Sequence, residues 1–231
     1  MRLLLFSDLH GNDQALYAFL EDIASLCYDK IIFCGDIFGY YYHQKEIIKH
    51  LNEINSLIWI KGNHDVYASK VFNKEIEEDT LITKYGHSYA SLTERFNRCE
   101  IEAISKKPSY LTLYDEFNKK ILICHGVPSS PLEGRLYPDN KILNQQDYIN
   151  YDFVILGHTH CRMNRKICTT MIINSGSLGQ PRDGNGFGYA ILDTGKETVD
   201  FKNVKINLHK LYAEIDMYDP KLEKLKNVLE R

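Results

Sequence analysis

The sequence predicts an α/β protein of layered architecture, and three observations support this prediction. Short apolar runs recur along the chain, and each ends in glycine, aspartate, asparagine or histidine. Segments with helical periodicity separate the first of these runs, so β and α elements alternate. The runs are apolar at successive positions, which is typical of strands covered on both faces of a sheet.

The first unit is a strand, a polar loop and a helix. The apolar residues 3–6 stop at Ser7, and the loop that follows contains Asp8 and His10. The side chain of Asn12 can cap the next helix. That helix is indicated by apolar residues spaced three and four apart, at Ala15, Leu16, Phe19, Leu20, Ile23 and Leu26.

The second unit repeats this order. Residues 31–34 form a strand, Asp36 follows it, and after a tyrosine-rich loop a helical stripe leads to a third strand at residues 57–60. Ligands of such sheets gather beyond the carboxyl ends of the strands, where the polar residues fall.

The remaining chain is predicted to contain one helical excursion followed by a β-rich third. The excursion covers residues 66–108, and a loop is expected over residues 126–140 with a short helix at about 140–148. A terminal helix begins at Pro220. Strands are predicted at residues 110–113 and 120–124, which form a hairpin, and at 153–156, 161–168, 170–174, 188–193 and 198–204.

Length and composition favour one domain over residues 1–231, with the excursion as part of it. The chain has 28 Lys and Arg against 31 Asp and Glu, a net charge of −3 that gives no field able to hold a polyanion. Binding of a nucleic-acid polymer is therefore disfavoured. No apolar run approaches the roughly 20 residues of a membrane helix, and Asp8 and His10 follow the first run too early for a secretory signal. A cytoplasmic protein without membrane contact is expected.

The six cysteines are interpreted as reduced thiols. They contain no C-x-x-C pair, and several lie in or beside apolar runs. Oxidation of Cys124 or Cys161, each next to a histidine, would disturb those histidines.

The polar residues at the strand ends predict a metal centre. Oxygen and imidazole ligands without thiolates suit Mn²⁺, Fe, Zn²⁺ or Co²⁺. Seven or eight ligands exceed what one tetrahedral ion uses, whereas two ions that share a carboxylate account for the number. The candidates are Asp8, His10, Asp36, Asn63, His64, His125, His158 and His160.

The order and types of these residues resemble the calcineurin-like metallophosphoesterase superfamily, and the segments 7–16, 35–40 and 174–184 look like its small prokaryotic phosphodiesterase-like branch of the YfcE type. The motifs that carry the resemblance are Asp8-x-His10, Gly35-Asp36, Gly62-Asn63-His64-Asp65, His125-Gly126 and Gly157-His158-x-His160. The resemblance implies a four-layer α/β/β/α sandwich of two mixed sheets. It also implies two divalent ions, with Mn²⁺ as the first choice and Fe, Zn²⁺, Co²⁺ or Ni²⁺ as alternatives.

The same resemblance implies a role for each residue. One ion would be held by Asp8, His10, Asp36 and His160, and the second by Asp36, Asn63, His125 and His158, with Asp36 bridging. His64 would be the general acid, and Asn63 would also contact substrate. Asp65 would orient the His64 imidazole; the alternative for Asp65 is a helix cap.

A glycine-rich loop at residues 174–184 completes the predicted site. Its backbone amides and Arg182 could contact a phosphate group. The alternative is a tight structural loop with a surface arginine.

The expected function is hydrolysis of a phosphodiester or phosphomonoester by attack of a metal-bridging hydroxide. The substrates that the resemblance suggests are cyclic or dinucleotide phosphodiesters, dinucleoside polyphosphates and phosphoproteins. The competing hypothesis is a catalytically silent scaffold of the same fold that binds other proteins. The sequence does not determine the oligomeric state.

Overall fold

The computed structural model describes residues 1–141 and 144–230. Within these residues it contains ten β-strands and eight α-helices. The strands are β1 (Arg2–Phe6), β2 (Lys30–Phe33), β3 (Leu57–Trp59), β4 (Tyr110–Tyr114), β5 (Lys120–Cys124), β6 (Phe153–Leu156), β7 (Arg162–Ile167), β8 (Thr170–Ser175), β9 (Gly188–Asp193) and β10 (Thr198–Asn203). The helices are α1 (Asp13–Ile23), α2 (Gln44–Glu53), α3 (Asn63–Phe72), α4 (Glu78–Tyr85), α5 (Leu92–Arg95), α6 (Arg98–Ser105), α7 (His209–Tyr218) and α8 (Lys224–Asn227).

The strands form two five-stranded mixed sheets, which confirms the predicted fold class. The first sheet has the order β10-β9-β1-β2-β3, with β1, β2 and β3 parallel and β9 antiparallel to β1. The second has the order β4-β5-β6-β8-β7, in which β5, β6 and β8 are parallel and the two edge strands are antiparallel. The carboxyl ends of the central strands therefore meet at one edge of each sheet.

The two sheets pack face to face through an apolar core. Leu3 and Leu5 of β1 contribute to it from the first sheet, and Ile123 and Ile155 contribute from the second. The other face of β1 packs under α1, where the Phe6 and Phe19 ring centroids are 4.7 Å apart. Residues 3–6 are thus buried on both faces, which explains why the run is continuously apolar.

The outer face of the second sheet is covered by loop segments. Leu136 and Tyr148 pack there against Val154 and Leu156 of β6. The short helix predicted at about 140–148 includes residues 142 and 143, which lie outside the described residues. A 3₁₀ turn is present at Gln145–Asp147.

The excursion at residues 66–108 contains the remainder of α3 and the helices α4, α5 and α6. The C-terminal segment adds α7, which the apolar pattern had not indicated, before α8. Leu211 and Ile215 of α7 pack against Tyr41 in the tyrosine-rich loop. No helix in residues 1–141 and 144–230 has the length and apolar character needed to cross a membrane.

Candidate metal centre

The seven predicted metal ligands lie together at the carboxyl ends of β1, β2, β5 and β6 and at the start of α3. Asp8 and His10 occupy the loop between β1 and α1, in which the Asn12 side chain accepts from the Ala15 amide as the predicted cap of α1. All seven side chains are buried: Asp8, His10, Asp36, Asn63, His125, His158 and His160.

One group of ligands surrounds Asp8. Its Oδ1 atom is 3.3 Å from Nε2 of His160 and 3.7 Å from Nε2 of His10. The two Nε2 atoms are 3.1 Å apart. Strands separated by 150 residues therefore place three potential ligands within reach of one ion.

A second group surrounds Asp36. The Nε2 atom of His125 lies 3.1 Å from Asp36 Oδ2 and 3.1 Å from Asn63 Oδ1. Asp36, His125 and His158 also form a potential ligand set. Asp36 Oδ2 is 3.8 Å from Nε2 of His10, so this carboxylate lies between the two groups.

The hydrogen bonds of three histidines turn their Nε2 atoms toward this centre. Nδ1–H of His10 donates to the Phe38 carbonyl at 2.6 Å, that of His125 to the Cys34 carbonyl at 2.7 Å, and that of His160 to the Gln180 carbonyl at 2.6 Å. Histidines that bind metals are oriented by such contacts, in which the ring nitrogen opposite the metal donates.

The arrangement fits a cation. Asp8 Oδ1 is buried and makes no hydrogen bond within residues 1–141 and 144–230. An unpaired buried carboxylate oxygen is costly unless it coordinates something. Because imidazole nitrogens and carboxylate oxygens face one another here, the residues present suit divalent metal ions.

The pKa values reflect the close approach of carboxylates and imidazoles. Burial alone would raise the pKa of Asp8, but His160, His125 and His10 hold it below its usual range. Burial would lower the pKa of His125, yet Asp36 and Asp8 raise it to about 10. Without metals a proton is therefore held between His125 and the carboxylates, and metal binding has to displace it.

His64 lies beside the first group, with its ring centroid 4.9 Å from that of His10. The prediction that Asp65 orients this imidazole is wrong, because the Asp65 carboxylate is used elsewhere. It accepts from the backbone amides of Asp36 at 3.0 Å, Ile37 at 2.8 Å and Gly62 at 2.9 Å. Asp65 therefore caps α3 and fixes the loop that carries Asp36.

The hydroxyl of Tyr89 contacts the His64 imidazole instead, 2.7 Å from Nδ1. His10, Asp36 and His64 also lie close enough together to form a third potential ligand set. Because Tyr89 engages one of its two ring nitrogens, His64 differs from His10, His125 and His160, whose Nδ1 atoms bond to backbone carbonyls. The assignment of His64 as the acid remains a prediction.

The glycine-rich loop supports the site through its backbone. The amides of Leu178 and Gly179 donate to the carbonyls of Ser7 and Asp8, at 2.9 and 3.0 Å. These amides are therefore engaged within the protein, as in the structural alternative for the loop. Arg182 is half-buried, and its Nη2 atom donates to the Tyr40 hydroxyl at 2.9 Å. Its positive charge lowers the pKa of His10, after the larger effects of burial and His160, so the guanidinium lies near the centre.

Sequence reasoning missed two residues of the site, Tyr89 and Arg135. The Nε–H of Arg135 donates to Nε2 of His158 at 3.0 Å. Burial, His125 and Arg135 together lower the pKa of His158 to about 3. The only signal for Arg135 was its place in the loop after His125, and Tyr89 lay among several aromatic residues of the excursion.

Comparison with known proteins gives the same result as the geometry. A model of the calcineurin-like phosphoesterase superfamily domain matches residues 1–197. An uncharacterized protein of Methanocaldococcus jannaschii is 30% identical over 231 residues, which cover 91% of this chain and 90% of that protein.

Two solved structures share the fold. A metallophosphoesterase from Sphaerobacter thermophilus has a TM-score of 0.81 and 24% identity, covering 100% of this chain and 98% of its own. YfcE, a phosphoesterase from E. coli, has a TM-score of 0.54 and 18% identity, covering 89% and 100%. With the family model spanning both groups of ligands, the chain belongs to the calcineurin-like phosphoesterase superfamily.

Proposed function

We propose that this protein is a dinuclear metal-dependent phosphoesterase that hydrolyses a phosphodiester or a phosphomonoester. The observation that carries the proposal is the convergence of three oriented imidazoles on two buried carboxylates, of which Asp36 lies between the two ligand groups. A fold that serves only packing gains nothing from burying so many carboxylates and imidazoles together, with Asp8 Oδ1 left without a hydrogen-bond partner among the described residues.

Each ion would be held by four residues. The first set is Asp8, His10, Asp36 and His160, and the second is Asp36, Asn63, His125 and His158. Bound there, two such ions would supply Lewis-acid chemistry, which would polarise phosphoryl oxygens and lower the pKa of a water molecule toward neutrality. Mn²⁺ is the first choice for this mixture of oxygen and nitrogen ligands.

The other residues of the site would bind and orient the ester. Arg182 lies near His10 and Arg135 bonds to His158, and the guanidinium groups of both suit phosphoryl oxygens. Asn63 would also contact the phosphate. His64 would face the departing group and supply a proton to its oxygen.

The proposed substrates are small. Cyclic or dinucleotide phosphodiesters come first, followed by dinucleoside polyphosphates and phosphoproteins. The net charge of −3 supports this choice, because it supplies no general attraction for a long polyanion.

The test is an assay of bis-p-nitrophenyl phosphate and p-nitrophenyl phosphate with Mn²⁺-loaded protein whose metal content is measured on the same sample. Wild-type protein should release p-nitrophenol, and Asp36→Asn should abolish the release. The control is Asp200→Asn, which changes an exposed carboxylate on β10. Wild-type protein that contains two ions but hydrolyses neither ester, nor any member of a nucleotide panel, would refute the proposal and favour the scaffold hypothesis.

A further inference from the structure

Tyr89 makes a contact that the proposed chemistry does not yet use. It lies in the 3₁₀ turn His87–Tyr89, and its side chain is completely buried. Its hydroxyl is 2.7 Å from Nδ1 of His64, and the two rings are stacked with centroids 6.2 Å apart. The helical excursion thus reaches the site through this residue.

The direction of this hydrogen bond follows from counting donors. Within residues 1–141 and 144–230, the hydroxyl of Tyr89 has one hydrogen-bond partner, Nδ1 of His64. If Nδ1–H donated to the phenol oxygen, the phenol hydrogen would be buried without an acceptor, which is costly. The phenol therefore donates and Nδ1 accepts. In a neutral imidazole the remaining proton is then on Nε2.

Among the described residues, no other group bonds to Nδ1 of His64. The Asp65 carboxylate accepts from three backbone amides, as described above. The chain at Gly39 runs so close to the imidazole, with a φ of +90°, that a Cβ atom there would lie 2.4 Å from Nδ1 of His64. This leaves space beside Nδ1 for a hydroxyl group but for no side chain at residue 39.

We propose that Tyr89 is a positioning residue that holds His64 in the Nε2–H tautomer and so presents a donor to the leaving group. Nε2–H donates a hydrogen bond to the ester oxygen as its bond to phosphorus breaks and negative charge develops there. The hydroxyl of Tyr89 also prevents rotation of the ring. The inference rests on the proposed phosphoesterase function and assigns a task to the excursion.

The first test measures the tautomer directly in the full chain labelled with ¹⁵N-histidine, with and without added Zn²⁺, which is diamagnetic. His64 is assigned by comparison with His64→Asn. The wild-type protein should show a non-protonated Nδ1 and a protonated Nε2, whereas Tyr89→Phe should show a mixture of tautomers. The control is Tyr85→Phe, because the Tyr85 ring contacts the His64 ring edgewise, with centroids 4.6 Å apart, whereas the bond to Nδ1 comes from Tyr89.

The second test follows hydrolysis of methyl aryl phosphates whose leaving groups run from p-nitrophenol to phenol. A positioned donor matters most when the departing oxygen is most basic. Tyr89→Phe should lower kcat about tenfold for the phenyl ester and by less than about twofold for the p-nitrophenyl ester, with KM unchanged, since one hydrogen bond is lost. Tyr85→Phe should lower kcat by the same factor for both esters, or for neither.

Two results would overturn the inference. One is an Nδ1–H tautomer of His64 in the wild-type protein, and the other is a Tyr89→Phe variant with the same tautomer and the same leaving-group dependence as Tyr85→Phe. Failure of the proposed function has a different signature: the wild-type protein itself hydrolyses none of these esters. In that case the tautomer measurement still determines the direction of the hydrogen bond between Tyr89 and His64, but the catalytic role assigned to Tyr89 is refuted.

Discussion

Replacement of Gly62 by alanine tests whether the position of the Asp36 carboxylate holds the centre together. Gly62 immediately precedes α3 with a φ of −100°, a value that alanine adopts without strain. A Cβ atom at this position would, however, lie 2.0 Å from Asp36 Oδ1. The substitution therefore acts on Asp36, whose backbone nitrogen would also lie only 2.7 Å from the new Cβ atom, and not on the backbone preference of residue 62.

The magnitude follows from these distances. Cβ atoms in proteins essentially never approach another atom more closely than 3.0 Å, so Asp36 has to move by about 1 Å or more. Its hydrogen bond from the His64 amide, now 2.9 Å, would be lost with this movement. Metal–ligand distances tolerate changes of only about 0.2 Å, and even indirect disturbance of a ligand costs 10- to 100-fold in affinity. Displacement of a shared ligand should therefore weaken Mn²⁺ binding by about 10²-fold or more.

The assay is isothermal titration of metal-free protein with Mn²⁺, with circular dichroism to establish that the variant is folded. Gly195→Ala is the matched control, because a Cβ atom at this turn between β9 and β10 would meet its nearest neighbour at an ordinary 3.4 Å. A folded Gly62→Ala protein that binds two Mn²⁺ ions with wild-type affinity would refute the argument that Asp36 joins the two groups.

Three further predictions concern protons and charge at the site. His64→Ala should retain both ions and lower kcat by about 10²–10⁴, the usual effect of losing a positioned proton donor, and loss of metal in this variant would make His64 a ligand instead. The apparent Kd for Mn²⁺ should fall about tenfold for each unit by which the pH is raised between pH 6 and 8. The reason is that the carboxylates raise the pKa of His125 to about 10, so one proton is displaced on binding; an affinity independent of pH would contradict this. Arg135→Met should tighten Mn²⁺ binding, because it removes a positive charge from beside His158, while kcat/KM falls through loss of a phosphate contact. Arg165→Met, at an arginine that bonds to the backbone carbonyls of Tyr137 and Asn140, should change neither.

The sheets and the ligand loops could be predicted from the sequence because both depend on local patterns. A run such as residues 3–6 is buried on both faces of the sheet. Its continuous hydrophobicity therefore identifies it as a strand without knowledge of the rest of the fold. Asp8 and Asp36 follow such runs directly, and parallel strands bring their carboxyl ends to one edge. The order of apolar and polar residues in the sequence therefore predicts where the candidate ligands lie.

The contacts of His64 could not be predicted in this way. Asp65 is its neighbour in the chain, and the sequence of residues 62–65 is the same whether the Asp65 carboxylate tunes the imidazole or caps α3. The outcome depends on where the amides of Asp36 and Ile37 lie, 29 and 28 residues away respectively, which only the folded structure determines. Tyr89 reaches the His64 ring through the packing of the helical excursion. The sequence does not distinguish it from the other aromatic residues of that segment.

The backbone explains why the ligand loops follow the most deeply buried strands. Five of the seven candidate ligands have a positive φ, a conformation that costs a residue other than glycine about 1–2 kcal/mol: Asp8, His10, Asp36, His158 and His160. Such strain persists only where the surrounding structure determines it. Here backbone bonds fix the loops to each other, as where the amide of Asp8 donates to the Gly35 carbonyl at 2.9 Å and that of His10 to the Asp36 carbonyl at 3.0 Å. Each fully buried leucine of β1 contributes about 1.5–3 kcal/mol toward holding these loops in place. The apolar runs are therefore part of the metal centre, because without their burial the strained residues beyond them would relax and the imidazoles would no longer converge.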